Sequence, residues 1–257
     1  MSSEHLSISI GNIPLRFHIP EDALRQKAHK RYAEFVREDP GALPIFVNTV
    51  PAEHGRNVSG ECDNDLFAFT WERSALFLAR CNAQFHDVRH EYGLDSLTRI
   101  LLSVLLAPEC GFLLHAATVL RNQRAYVFTG KSGAGKSTVA GLSPAGSVLT
   151  DEISLLKFVD GEWHAFGTPF WGEFRAAGAN VHAPIAGIYF LNQALTDRVE
   201  AISARTAVRA LLPNTLFFSR DARMTGSLLR VLTDFVQSVP CNRLFFRKDY
   251  QFWSVLA

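Results

Sequence analysis

One stretch limits the possible folds of this chain more than any other: Gly130-Lys131-Ser132-Gly133-Ala134-Gly135-Lys136-Ser137, followed by Thr138. It fits the pattern G-x-x-x-x-G-K-[ST] at every fixed position. The preceding run, RAYVFTG, reads as a strand, and a helix is expected from the turn through about Gly141. Glycines let the backbone curl until successive amides point at one centre. The positive end of the helix adds to that field. Lys136 offers a point charge to outer phosphates, and Ser137 offers a hydroxyl to Mg²⁺. The turn therefore predicts a site for a nucleoside triphosphate, ATP or a similar polyphosphate, with Mg²⁺. Gly130 through Thr138 would line the phosphates, and Ser137 would reach the metal.

A polyphosphate site also needs an acid to place the metal or to activate the attacking group. SVLTDE supplies Asp151 and Glu152 at the end of a short strand, only 13 residues beyond Ser137. The chain is expected to make one short helix and return at once to an adjacent strand. Asp151 is the expected metal-side acid, and Glu152 a base or second metal contact. Neighbours on a strand point to opposite faces, so one of the two can face away. His115, in LLHAATV, lies on the strand before the glycine-rich turn. A histidine there either orients an acid and relays a proton or is a satisfied core residue.

The rest of the chain narrows the class. With 257 residues, 47% hydrophobic and 20% charged, it has the composition of a globular domain or two. A net charge of +1 gives no whole-chain attraction to nucleic acid or to an acidic membrane. No run of 18 uncharged apolar residues is present, and the start lacks an export-signal pattern. Four cysteines without a CxxC pair read as reduced thiols in the cytoplasm. His86 and His90 have i, i+4 spacing, but in a segment read as strand, so zinc is not expected.

The first 94 residues read as β-rich with one helix. LSISIGNIPLRFHI is a hairpin about Gly11-Asn12, and DALRQKAHKRYAEFV is helical. Ser96 to Ala107 is an apolar helix, with Asp95 as its expected cap. From residue 95 the expectation is an α/β domain, 95–257, that holds the phosphate turn and packs with the first part as one body. Its pieces are a hairpin through RNQ, the phosphate turn, a hairpin at Asp160-Gly161, the strand AGIYFLNQ, two helices and a last strand, CNRLFFRKD.

GFLLHAATVL, VFTGKSGAGKSTVA, SVLTDE, FGTPFWGEF and APIAGIYFLNQ, in that order, make this part resemble the HPr serine kinase-related family. VPCNRLFF also suits it. The resemblance implies that 95–257 is a catalytic domain with a P-loop core on a mixed sheet, like that of the HPr kinases and of ATP-dependent phosphoenolpyruvate carboxykinase, beside a β-rich N-terminal part. It implies that Asp151 and Glu152 match an acidic pair, usually Asp-Asp, that serves Mg²⁺ and deprotonates an acceptor serine, with His115 close by. Glu173 would match a further metal-side acid. The glycine-rich signature that follows the acidic pair in HPr kinases is missing, which argues against HPr itself as substrate.

The expected activity is ATP-dependent phosphoryl transfer to a hydroxyl, to serine of a peptide or small protein, as in tailoring of lasso or other precursor peptides. The alternatives are a non-catalytic nucleotide-binding regulator or scaffold, a small-molecule hydroxyl kinase and, last, a carboxykinase-like lyase. No nucleic-acid or membrane partner is expected, and the resemblance allows a homo-oligomer. TPFWGEF reads either as a substrate-facing loop, with Phe170 or Trp171 as a wall, or as a core plug. RDARM, with Arg220 and Arg223, reads as a solvated turn or a phosphate contact.

Overall fold

The computed structural model describes residues 4–50, 65–71, 74–79, 82–144, 146–170, 172 and 179–256; for 65–71 and 75 it describes the backbone alone. The chain divides into two compact units, Met1–Leu102 and Ser103–Ala257.

The first unit is built from β1 (His5–Ile10), β2 (Ile13–His18), α1 (Asp22–Arg31), β3 (Leu43–Val47), β4 (Asp65–Trp71), β5 (Ser74–Ala79) and β6 (Ala83–His86), followed by α2 (Glu91–Leu105). The strand order is β1-β2-β3-β6-β5-β4. β1 and β2 form the hairpin that Gly11-Asn12 allows, because both residues hold positive φ. β3 pairs parallel with both β2 and β6, so the sheet is mixed.

α2 begins at Glu91, five residues before the expected start, and runs unbroken across the division between units. Asp95 is therefore inside the helix and caps nothing. Its carboxylate is buried, accepts the Tyr32 hydroxyl at 2.6 Å and pairs with the Arg31 guanidinium. Burial pushes the Asp95 carboxyl up, while Arg31 and Tyr32 pull it back down. The expected boundary at 94/95 falls within this helix because no linker interrupts it.

The second unit contains β7 (Gly111–Arg121), β8 (Arg124–Thr129), α3 (Lys136–Leu142), β9 (Val148–Thr150), β10 (Ile153–Val159), β11 (Glu162–Phe166), β12 (His182–Gln193), β13 (Arg198–Ala201), α4 (Ala204–Leu211), β14 (Thr215–Leu216), α5 (Ala222–Ser238) and β15 (Cys241–Phe246). A 3₁₀ turn, Tyr250–Val255, follows. The main strand order is β11-β10-β7-β8-β12-β15-β13. β8 lies between β7, antiparallel, and β12, parallel. The two expected hairpins form, at Asn122-Gln123 and at Asp160-Gly161, each on positive φ.

Alternation along the strands divides the side chains between two cores. Phe112, Leu114, Val127, Ile188 and Phe190 face α4 and α5, meeting Leu211, Leu228, Leu232 and Phe235. Val119, Tyr126, Phe128, Tyr189 and Phe246 face the other way, meeting Val139 of α3 and Phe252 of the 3₁₀ turn. Helices thus cover both faces, and the protein is mixed α/β with mixed sheets. Burying each such large apolar side chain stabilises by about 1.5–3 kcal/mol.

β11 also pairs with the first residues of β12. At that junction the Nδ1 atoms of His164 and His182 stand 2.8 Å apart, with the Phe166 ring stacked on His182. α5 starts at Ala222, where the Asp221 carboxylate accepts the amides of Arg223 and Met224. RDARM is thus a helix cap with Arg220 and Arg223 exposed. Among the described residues no helix is long and apolar enough to cross a membrane. Cys110 and Cys241 are free thiols; Cys62 and Cys81 lie outside the described residues.

Candidate functional site

The glycine-rich turn leaves the end of β8 and enters α3. Three of its glycines hold positive φ: Gly130 at 150°, Gly133 at 76° and Gly135 at 113°. A side chain would be strained at each. At Gly135 it would also collide, because a Cβ there would lie 2.7 Å from Phe246 Cζ. Gly133 has open space instead, so it marks the outward crown of the turn. Gln193, the last residue of β12, donates its side-chain amide to the Gly133 carbonyl at 2.8 Å. Sequence reasoning gave no role to Gln193 or Phe246, since both come from strands remote in the chain.

Lys136 is the first residue of α3 and is 7% exposed. Its ammonium donates to the Gly130 carbonyl at 3.0 Å and to the Lys131 carbonyl at 3.4 Å. Burial pushes its pKa below the ordinary lysine value. The charge is therefore held inside the curl of the turn. α3 spans only two turns. Ser137 and Thr138 follow in the helix, half-buried.

Asp151 and Glu152 do not end a strand against β8, as expected. They form a jog between β9 and β10, two segments that run along the same neighbour, β7. The acids are thus separated from the β8 turn by β7. Two strand spacings amount to about 10 Å. Three contacts fix the jog. The hydroxyls of Thr150 and Thr168 both donate to the Ile153 carbonyl, at 2.9 and 2.7 Å. The Gly172 amide donates to Asp151 Oδ1 at 3.0 Å. Asp151 is 7% exposed and Glu152 half-buried.

His115 lies on the intervening strand and joins the two halves. Its carbonyl accepts the Thr129 hydroxyl at 2.9 Å, next to Gly130. It is in register with Ile153, and the neighbouring Ala116 amide donates to the Glu152 carbonyl at 3.0 Å. By strand alternation its side chain shares the face of Val119, the face on which α3 packs. Within β7 from Gly111 to Val119 it alone is half-buried rather than buried. The turn, His115 and the acid pair therefore meet at one end of the sheet.

Phe170 is buried at 1% exposure, so in TPFWGEF it plugs the core. Trp171 and Glu173 lie outside the described residues. His86 closes β6, while His90 accepts the Gly93 amide at the start of α2. Among the described residues no group of three or more histidines, cysteines and acids converges as a ready metal cage. Comparison with protein-family models and with curated proteins finds no match for this chain.

Proposed function

We propose that the protein is an ATP-dependent kinase of the HPr serine kinase-related type, with a P-loop core, that transfers a phosphoryl group to the serine hydroxyl of a peptide or small protein. The observation that carries the reading is the juxtaposition across β7. A glycine turn with positive φ and a buried lysine follows β8 on one side of this strand, and a jog bearing two carboxylates lies on the other, with two strand spacings, about 10 Å, between their backbones. That gap suits a polyphosphate and one hydrated cation. The MgATP complex supplies the phosphoryl group, with its charge already partly neutralised.

Each residue then has a task in the reading. Amides from Gly130 to Thr138 bind and orient the phosphates. Lys136 exchanges its bonds to Gly130 and Lys131 for phosphate oxygens. Ser137 and Asp151 hold the cation, Asp151 being fixed in turn by Gly172. Glu152, beside His115, accepts the proton of the attacking hydroxyl. Transfer of this kind is chiefly positioning and electrostatics.

The test is incubation with γ-labelled ATP, Mg²⁺ and candidate serine peptides, for the native protein and for Lys136→Ala. Loss of this charge is expected to lower transfer by about 10²–10³-fold, as for removal of one buried electrostatic contact to a transition state. Normal transfer by Lys136→Ala overturns the assignment. A non-catalytic nucleotide-binding regulator is the second reading. It is favoured by the ammonium turned onto its own turn, and ATP binding without transfer or hydrolysis would select it.

A further inference from the structure

A cleft of about 530 Å³ opens at the other end of β7 and β8, beside the Asn122-Gln123 turn. Val119, Pro144, Tyr250 and Trp253 supply its walls, and Arg121 and Gln251 its polar groups. β8 has six residues, so the cleft lies about 20 Å along the strand from Gly130. It is not part of the phosphate turn. Its size is that of a small-molecule site.

Arg121 is the charged residue that lines this cleft. Arg121 and Arg124 are direct partners across the two strands. Like charges placed opposite one another destabilise a strand pair. Both are nevertheless anchored, Arg121 by the Trp253 carbonyl at 3.0 Å and Arg124 by the Ile185 carbonyl at 3.0 Å. The Arg121 guanidinium also stacks over the Trp253 ring, 5.1 Å from its centroid. Among the described residues neither arginine has a carboxylate within ion-pair distance, as is also true of other surface arginines such as Arg220 and Arg230. Alternation puts both on the face of Val119 and Tyr126, which is the face of the cleft. Tyr250, 68% exposed, leaves an aromatic ring at the cleft with little protein against it.

We propose that this cleft binds a small aromatic anion, a planar ring bearing a carboxylate. The ring packs against Tyr250 and Trp253. The carboxylate takes N–H donors of Arg121, whose planar fork matches it, and relieves the repulsion with Arg124. This inference is independent of the proposed kinase activity.

The test uses 2-naphthoate and its neutral analogue 2-naphthamide, titrated calorimetrically into the full chain. Saturable 1:1 binding of the acid is expected, with the amide weaker by about tenfold or more, the effect of one charge-assisted contact. Arg121→Gln is expected to weaken the acid about tenfold and leave the amide unchanged. Tyr250→Ser, at an exposed position that should not disturb folding, is expected to weaken both. Lys136→Ala should change neither, which separates this site from the phosphate turn. Absence of saturable binding, equal affinity for acid and amide, or indifference to both Arg121→Gln and Tyr250→Ser overturns the proposal.

Discussion

The Gly172 amide holds Asp151 Oδ1 at 3.0 Å, and a Cβ at Gly172 would lie 2.6 Å from Oδ2 of the same carboxylate. The glycine is thus both donor and clearance for the proposed metal-side acid. Gly172→Ala is expected to push the Asp151 carboxylate aside while leaving the fold nearly untouched, since a carboxylate end moves easily. Phosphoryl transfer should fall by about tenfold or more, with a raised Mg²⁺ requirement and an unchanged melting temperature. Mg²⁺ titration of initial rates checks this; native-like rates at limiting Mg²⁺ would remove Gly172 from the site.

Gly135→Ala is a harsher change. The backbone there has φ of 113°, and the new methyl group would meet Phe246. Loss of about 1–3 kcal/mol is expected from strain and overpacking, together with loss of nucleotide affinity. Adding Phe246→Leu relieves the contact but not the backbone strain. The double variant should recover only part of both, as denaturant titration and nucleotide binding would report.

In the first unit, Asp95→Ala removes the buried carboxylate that pairs with Arg31 and accepts the Tyr32 hydroxyl. Breaking a buried pair from one side costs about 3–5 kcal/mol. Urea unfolding should show the loss. A change below about 1 kcal/mol, the level of an exposed ion pair, would mean that the pair is solvated.

His182 has its pKa lowered, first by burial and then by the neighbouring His164. The folded state therefore favours neutral imidazole. The associated stability is present above the ordinary histidine value of 6.5 and is lost as pH falls through the lowered value. His182→Phe is expected to flatten the fall in melting temperature between pH 7.5 and 5.5, by about 1–2 °C given the exposure of this ring. An unchanged pH profile would show that the pair is not a source of acid sensitivity.

What could be read from the sequence was mostly short-range. Gly11-Asn12 and Asp160-Gly161 announce their hairpins because turn chemistry is local. The turn from Gly130 to Ser137 was legible for the same reason, since its spacing carries its geometry. Asp95 misled because its partner, Arg31, is 64 residues away, and a cap looks the same as an ion-paired acid in a string of letters. Asp151 and Glu152 stand out in the sequence, but the jog that carries them does not. That jog depends on Thr168 and Gly172, and on β9 and β10 sharing one neighbour. The supports from Gln193 and Phe246 were hidden in the same way, because only the sheet order brings β12 and β15 to the turn.

β12 pairs with β11 at its beginning and with β8 further along. The series β11, β10, β7, β8, β12 and back to β11 is consequently a ring without a loose seam. To slide the carboxylates away from the glycine turn, the molecule would have to tear such a hoop at two seams rather than peel one margin. Rigidity of this sheet is then a matter of connectivity, set before any ligand arrives.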